Sequence, residues 1–131
     1  MSPVASAGAS SGMGAGGLDA GDIVHLDFTP SAGHEMRGPH FALVVSRHAF
    51  NQASGIVWVC PISQGEAAAQ RAGGFLVTLM GAGTQTVGSV QLHLLRGVDT
   101  RARGARRIEK APPHILNEVL DIIGTATGML T

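Results

Sequence analysis

Between Asp22 and Leu95 the chain carries five short apolar runs, each cut off by glycine, proline or a polar turn. That punctuation constrains the fold more than any other feature. No run is long enough for a helical period to develop, and several short strands with Gly-rich turns predict a small barrel or a curled antiparallel sheet. "DIVHLDF" (22–28) alternates, with Ile23, His25 and Asp27 on one face and Val24, Leu26 and Phe28 on the other. "FALVVS" (41–46) is continuously apolar, as a buried central strand should be. "GIVWVCPI" (55–62), stopped by Pro61, and "GFLVTLM" (74–80) follow. "TVGSVQLHLL" (86–95) is the fifth, with Ser89, Gln91 and His93 predicted on one polar face.

The end of the chain has a different period. Pro112 and Pro113 suit the first turn of a helix, and Ile115, Leu116, Val119, Leu120 and Ile123 recur at helical spacing. Gly124 is the expected stop. The fold class is therefore α+β, mainly β, with one amphipathic C-terminal helix. Residues 1–18 are almost all small and cannot bury enough apolar area to offset their ordering entropy, so a disordered low-complexity tail is expected there. Residues 19–131 form the single expected domain.

Charge narrows the function. Nine basic and nine acidic residues cancel, but six of the nine Lys/Arg fall between Arg96 and Lys110. Such a local positive field attracts phosphates; a solvated connection to the final helix is the plain alternative. The single cysteine, Cys60, rules out an intrachain disulfide. No apolar run approaches the roughly 20 residues that span a bilayer. No basic start precedes an apolar stretch at the N-terminus, so a cytoplasmic, membrane-free protein is expected. The six His and one Cys fit no metal-binding spacing, and no cofactor is expected. "GAGTQT" (81–86) lacks the lysine and following helix of a phosphate loop and reads as a hairpin turn.

The loop "GHEMRGPH" (33–40) stands out instead. Gly33 and Gly38 bracket His34, Glu35, Arg37 and His40, and the loop abuts a buried strand that would hold it in place. Imidazoles exchange protons readily near neutral pH. Gln91 and His93 offer a second polar face that can meet this loop.

Seven blocks then carry a resemblance: "GDIV" (21–24), "PSAGHE" (30–35), "AFNQ" (49–52), "CPISQG" (60–65), "RAGGF" (71–75), "ARGARRIE" (102–109) and "NEVL" (117–120). Their order and spacing resemble the PemK/Kid/MazF toxins, and "NEVL" is similar to the PemK/Kid branch in particular. The resemblance implies an SH3-like barrel of the CcdB/PemK type with a C-terminal helix, assembled as a homodimer. It implies a growth-inhibiting endoribonuclease of a type II toxin-antitoxin system that cuts single-stranded RNA without a metal. The partners it implies are a cognate antitoxin, and operator DNA only together with that antitoxin.

Matched position by position, His34 becomes a general acid or base and Glu35 its orienting partner or an RNA contact. An Arg-Pro pair of the family is replaced by His40 and Phe41. A family threonine becomes Ser63, which keeps the hydroxyl. An Arg and an Asp two residues apart become Gln91 and His93. Arg103 is retained as an RNA-contacting position, and Arg37 or Arg96 can restore lost charge. The expected catalytic set is His34, Glu35, His40, Ser63 and His93, with Arg37, Gln91, Arg96 and Arg103 on RNA. Two alternatives follow from the departures: a catalytically weakened module that binds antitoxin and operator, and a gyrase poison on the same fold.

Overall fold

The computed structural model describes residues 11–29, 37–65 and 74–129. Within them, seven strands make one antiparallel sheet: β1 (Asp22–Asp27), β2 (Pro39–Val44), β3 (Val57–Ser63), β4 (Leu76–Thr78), β5 (Ser89–Gln91), β6 (Arg96–Val98) and β7 (Arg106–Lys110). The strand order is β4-β5-β3-β2-β1-β7, and β6 pairs with β3 beside β5. Two α-helices accompany the sheet in the described residues, α1 (His48–Ser54) and α2 (Pro113–Ala126).

Adjacent residues of the central strands enter different cores. Ile23 pairs with Leu43, and both join Cys60, Ile62, Val77 and Val90 in one cluster that α2 covers with Ile115 and Val119. Val24 pairs with Ala42, and both join Leu26, Phe28, Val44, Val57, Val59 and Val98 in a second cluster. The second half of β2, Ala42–Val44, is buried on both faces and so must be apolar at every position, which is why it reads as a continuous run. Each fully buried Val, Leu, Ile or Phe contributes roughly 1.5–3 kcal/mol.

Several expectations are corrected. Pro61 does not stop β3, which runs on to Ser63. Its missing N–H falls between the β6 pairing, which ends at Val59, and the β5 pairing, which starts at Ile62. The run at 86–95 is only partly strand: β5 ends at Gln91 and the chain makes a 3-10 turn over Leu92–Leu94. The helix passes Gly124 and ends at Ala126, with left-handed Gly128 beyond it. The basic segment contains two strands, β6 and β7, and β7 completes the sheet against β1.

Two elements had no counterpart in the sequence reading. Helix α1 is short, and its buried Asn51 acts as a hub. The Ser46 hydroxyl donates to Asn51 Oδ1, and Asn51 Nδ2 donates to Leu18 O (2.9 Å) and Ser46 O (3.1 Å). The second is part of the expected tail. Residues 11–18 pack on the second core, where Leu18 is fully buried and Ala15 nearly so. Small residues suffice there because backbone hydrogen bonds, rather than apolar area alone, hold the segment.

Burial at the centre of β3 pushes the Cys60 thiol up to about 12. The folded state therefore keeps a proton that the unfolded chain gives up near the ordinary thiol pKa of ~8.5. Stability from this group is complete below that pH and is lost as pH rises above it. Native protein should resist thiol-specific reagents at pH 8 and react only after denaturant is added. Prompt labelling of the native chain would contradict this burial.

Candidate functional site

The site grows from the open ends of β1, β2 and β3. Phe28, one residue past β1, is fully buried and donates its N–H to Gly38 O (2.9 Å). Gly38 has φ +74°, a left-handed corner that a side chain would strain, and its N–H donates to Thr29 Oγ1 (2.9 Å). This corner delivers the chain into β2 with His40 opposite Leu26. Paired residues share a face, so His40 lies on the Phe28 side of the sheet and Phe41 on the other.

Two functional groups meet on that face. The His40 ring lies 6.3 Å from the Phe28 ring, and the Arg96 guanidinium sits 5.7 Å over the same ring. Arg96 pairs with Val59 on β3, which places it on the face that carries Ser63 two alternations further on. Phe41 with Ile62 is the last pair of the β2–β3 ladder, and Ser63, one residue beyond it, pairs with Ser89 on β5. The Ser63 hydroxyl is buried and has no hydrogen-bond partner in the structure. An unmet buried hydroxyl costs roughly 1–3 kcal/mol, which an arriving acceptor offsets. His40 Nε2 lies 2.6 Å from Arg37 O. A carbonyl only accepts, so Nε2 carries the proton and Nδ1 of the neutral ring is left as a base.

The other expected residues divide. His34 and Glu35 lie outside the described residues. Arg37 is exposed at the mouth of the site. Gln91 shares the face of Ser63, but its side chain is buried and donates to Ser89 O (3.3 Å). Its amide therefore faces inward rather than to solvent. His93 lies apart from His40. The 3-10 turn ends the strand alternation, and His93 lines an apolar cavity of about 340 Å³ with Leu92, Leu95, Ile122 and Ile123. That is the α2 side of the sheet, whereas His40 faces the other core.

Arg103 is anchored rather than loose. Its guanidinium donates to Asp27 O (3.1 Å) and Thr29 O (3.2 Å), and it borders a polar cavity of about 350 Å³. His25 and Asp27 line the same cavity. The sequence reading placed them on a polar strand face without assigning chemistry. Their nearness to the basic turn was hidden because β7 was not anticipated. Burial, helped by Arg106 and His40, lowers the His25 pKa, and the Thr29 N–H and hydroxyl hold the Asp27 carboxyl below the usual range. Other members of the basic run are structural: Arg107 and Lys110 reach the buried Asp22 at 3.3 and 3.2 Å. Among the described residues no group of three His, Cys, Asp or Glu can hold a metal, and no helix is long and apolar enough to cross a membrane.

Glu109 fixes the neighbouring loop. Its carboxylate accepts the Gln85 N–H (3.0 Å), the Thr86 N–H (2.8 Å) and the Thr86 hydroxyl (2.7 Å). Burial alone would raise this carboxyl, but the three donors together outweigh it and lower the pKa. The stability it supplies is present above the unfolded pKa of ~4.3 and is lost as pH falls through the lower folded value. Glu109→Gln should cost roughly 1–3 kcal/mol in denaturant unfolding at pH 7, with the deficit shrinking towards pH 3. A deficit constant with pH would show that the charge is irrelevant.

An antiparallel sheet covered by a helix, with a guanidinium and an imidazole against one buried ring and an unpartnered hydroxyl on the same face, defines a protein suited to hold a phosphoryl group beside a proton acceptor. The chain belongs to the PemK-like, MazF-like toxins of type II toxin-antitoxin systems, whose family model matches residues 19–126. It is 38% identical over 108 residues to Endoribonuclease PemK of Escherichia coli, covering 82% of this chain and 80% of that protein. It is 41% identical over 104 residues to the Endoribonuclease toxin ChpB of Escherichia coli K12, covering 79% and 88%. Crystalline MazF from Deinococcus radiodurans superposes with a TM-score of 0.73 at 39% identity, over 86% of this chain and 97% of that one. A MazE-MazF structure from the same organism gives 0.70 at 38% identity, over 86% and 96%.

Proposed function

We propose that this chain is an endoribonuclease toxin that cleaves single-stranded RNA without a metal and is restrained by a cognate antitoxin. The reading includes a homodimer acting in the cytoplasm, with operator DNA bound only in the toxin-antitoxin complex. The observation that carries it is the meeting of His40 and Arg96 on the Phe28 ring, with the unpartnered Ser63 hydroxyl on the same face of the sheet. Two relatives named as endoribonucleases and the MazE-MazF structures support it.

The chemistry follows from the groups present. The RNA 2′-hydroxyl gives its proton to His40 Nδ1, and its oxygen bonds to the adjacent phosphorus. Charge on the phosphoryl oxygens is met by Arg96 and by the Ser63 hydroxyl, donors already in place before substrate arrives. The bond from phosphorus to the 5′-oxygen breaks, and an acid protonates the leaving oxygen. His34, oriented by Glu35, takes that role in this reading. Arg37 and Arg103 hold flanking phosphates, where planar guanidinium donors bind well.

Attack by the 2′-hydroxyl fixes the products. Single-stranded RNA incubated with the protein in excess EDTA should yield 2′,3′-cyclic phosphate and 5′-hydroxyl ends, and antitoxin should suppress them. RNA that stays intact with and without divalent cations, or that acquires 5′-phosphate ends, would overturn the reading.

A further inference from the structure

The matched family region begins at residue 19, yet the fold begins earlier. Residues 11–18 lie along the turn that carries Arg103. The Gly12 N–H donates to Arg101 O and the Met13 N–H to Ala105 O, both at 2.8 Å. The Thr100 hydroxyl donates back to Met13 O at 2.7 Å, and the Arg107 guanidinium donates to Gly17 O. The turn's own bonds are longer: Ala105 N–H to Thr100 O at 3.0 Å, Arg103 N–H to Asp99 O at 3.2 Å and Gly104 N–H to Arg101 O at 3.3 Å. The shorter bonds therefore come from outside the turn. Thr100 and Ala105, its two ends, are fully buried.

Glycine is required at this contact. A Cβ on Gly12 would collide with backbone atoms of Thr100, Gly104 and Ala105, none of which can swing aside like a flexible side chain. The far end of the segment is fastened separately, with Leu18 fully buried in the second core and its carbonyl taken by Asn51. A chain pinned in the core at one end and bonded to a polar turn at the other transmits position from core to turn.

We propose that residues 11–18 are a positioning strap: they hold the 100–105 turn so that Arg103 meets the end of β1 ready to receive an RNA phosphate. The strap acts through Arg103 and so rests on the RNA reading. Arg103 reaches Asp27 O and Thr29 O only while the turn stays seated, and a preorganised guanidinium binds phosphate without first losing that freedom.

The test is a double-mutant cycle on the full chain, reading KM and kcat for cleavage of a single-stranded RNA. Gly12→Val blocks docking at the turn and leaves Leu18 in the core. It should raise KM about tenfold, the size of one charge-assisted contact, with kcat within about twofold. Arg103→Ala should raise KM by a similar factor, and the double variant should be no worse than Arg103→Ala alone. Thr100→Val, which keeps shape but removes the hydroxyl donor, should shift KM in the same direction and carries the test if Gly12→Val does not fold. Wild-type KM in both strap variants, or effects that multiply in the double variant, would overturn the strap. An Arg103→Ala enzyme with unchanged KM would instead remove Arg103 from the RNA site and the strap's role with it.

Discussion

His40→Ala should lower the rate of RNA cleavage by about 10²- to 10⁴-fold, the usual range for loss of a general base. RNA binding should change far less, because Arg37, Arg96 and Arg103 remain. Single-turnover cleavage of a labelled RNA alongside equilibrium binding of a substrate lacking the reactive 2′-hydroxyl separates the two. The expectation rests on geometry: the bond from His40 Nε2–H to Arg37 O leaves Nδ1 as the basic nitrogen, on the face shared by Arg96 and Ser63. An alanine variant that cleaves at the wild-type rate would show that the proton goes elsewhere. His40→Arg, which restores the usual family residue, should keep binding but lose the imidazole's pH dependence, since arginine does not titrate in the accessible range.

The second large effect belongs to Phe28. It is fully buried in the second core and is also the surface on which His40 and Arg96 rest. Phe28→Ala should cost roughly 3–5 kcal/mol in unfolding free energy, a large part of a small domain's stability. Cleavage should fall with it, because the ring that spaces the imidazole from the guanidinium is gone. Phe28→Leu separates the two roles. Its stability loss should stay below about 1.5 kcal/mol, leaving the protein folded. Its cleavage rate should still drop at least about tenfold, since a displacement of ~1 Å in a reacting group is costly. Full activity in a stable Phe28→Leu protein would mean that the ring serves the core alone.

The elements legible in the sequence were those with strong local signals. β1 to β3 each carry a stretch buried in one or both cores, which shows as an apolar alternation or run, and helix α2 repeats its apolar residues at helical spacing. The pieces that were missed have weak signals. β7, "RRIEK", has a single apolar residue, Ile108, and β6 is three residues long. Helix α1 is too short to show a period. Period-two reasoning misplaced His93 because it was carried through Leu92, where the chain leaves the strand for a 3-10 turn, whereas Gln91 keeps its predicted face and is buried there. His40 and Ser63 were singled out because they occupy motif positions, and strand alternation puts both on the Phe28 face of the sheet. The contribution of Phe28 was not legible, because a residue that alternates into a core looks the same whether or not functional groups rest on it. The strap was missed because its cohesion comes from backbone hydrogen bonds, which glycine- and serine-rich sequence does not advertise.

In this account His40 performs the proton transfer. The most direct test is the pH dependence of kcat/KM for cleavage of one single-stranded RNA in EDTA, measured for the wild type and His40→Ala. The expected wild-type profile has an acid limb on which the rate climbs as the imidazole loses its proton, and that limb disappears in His40→Ala. A wild type inactive at every pH, or an acid limb that survives unchanged in His40→Ala, would contradict it.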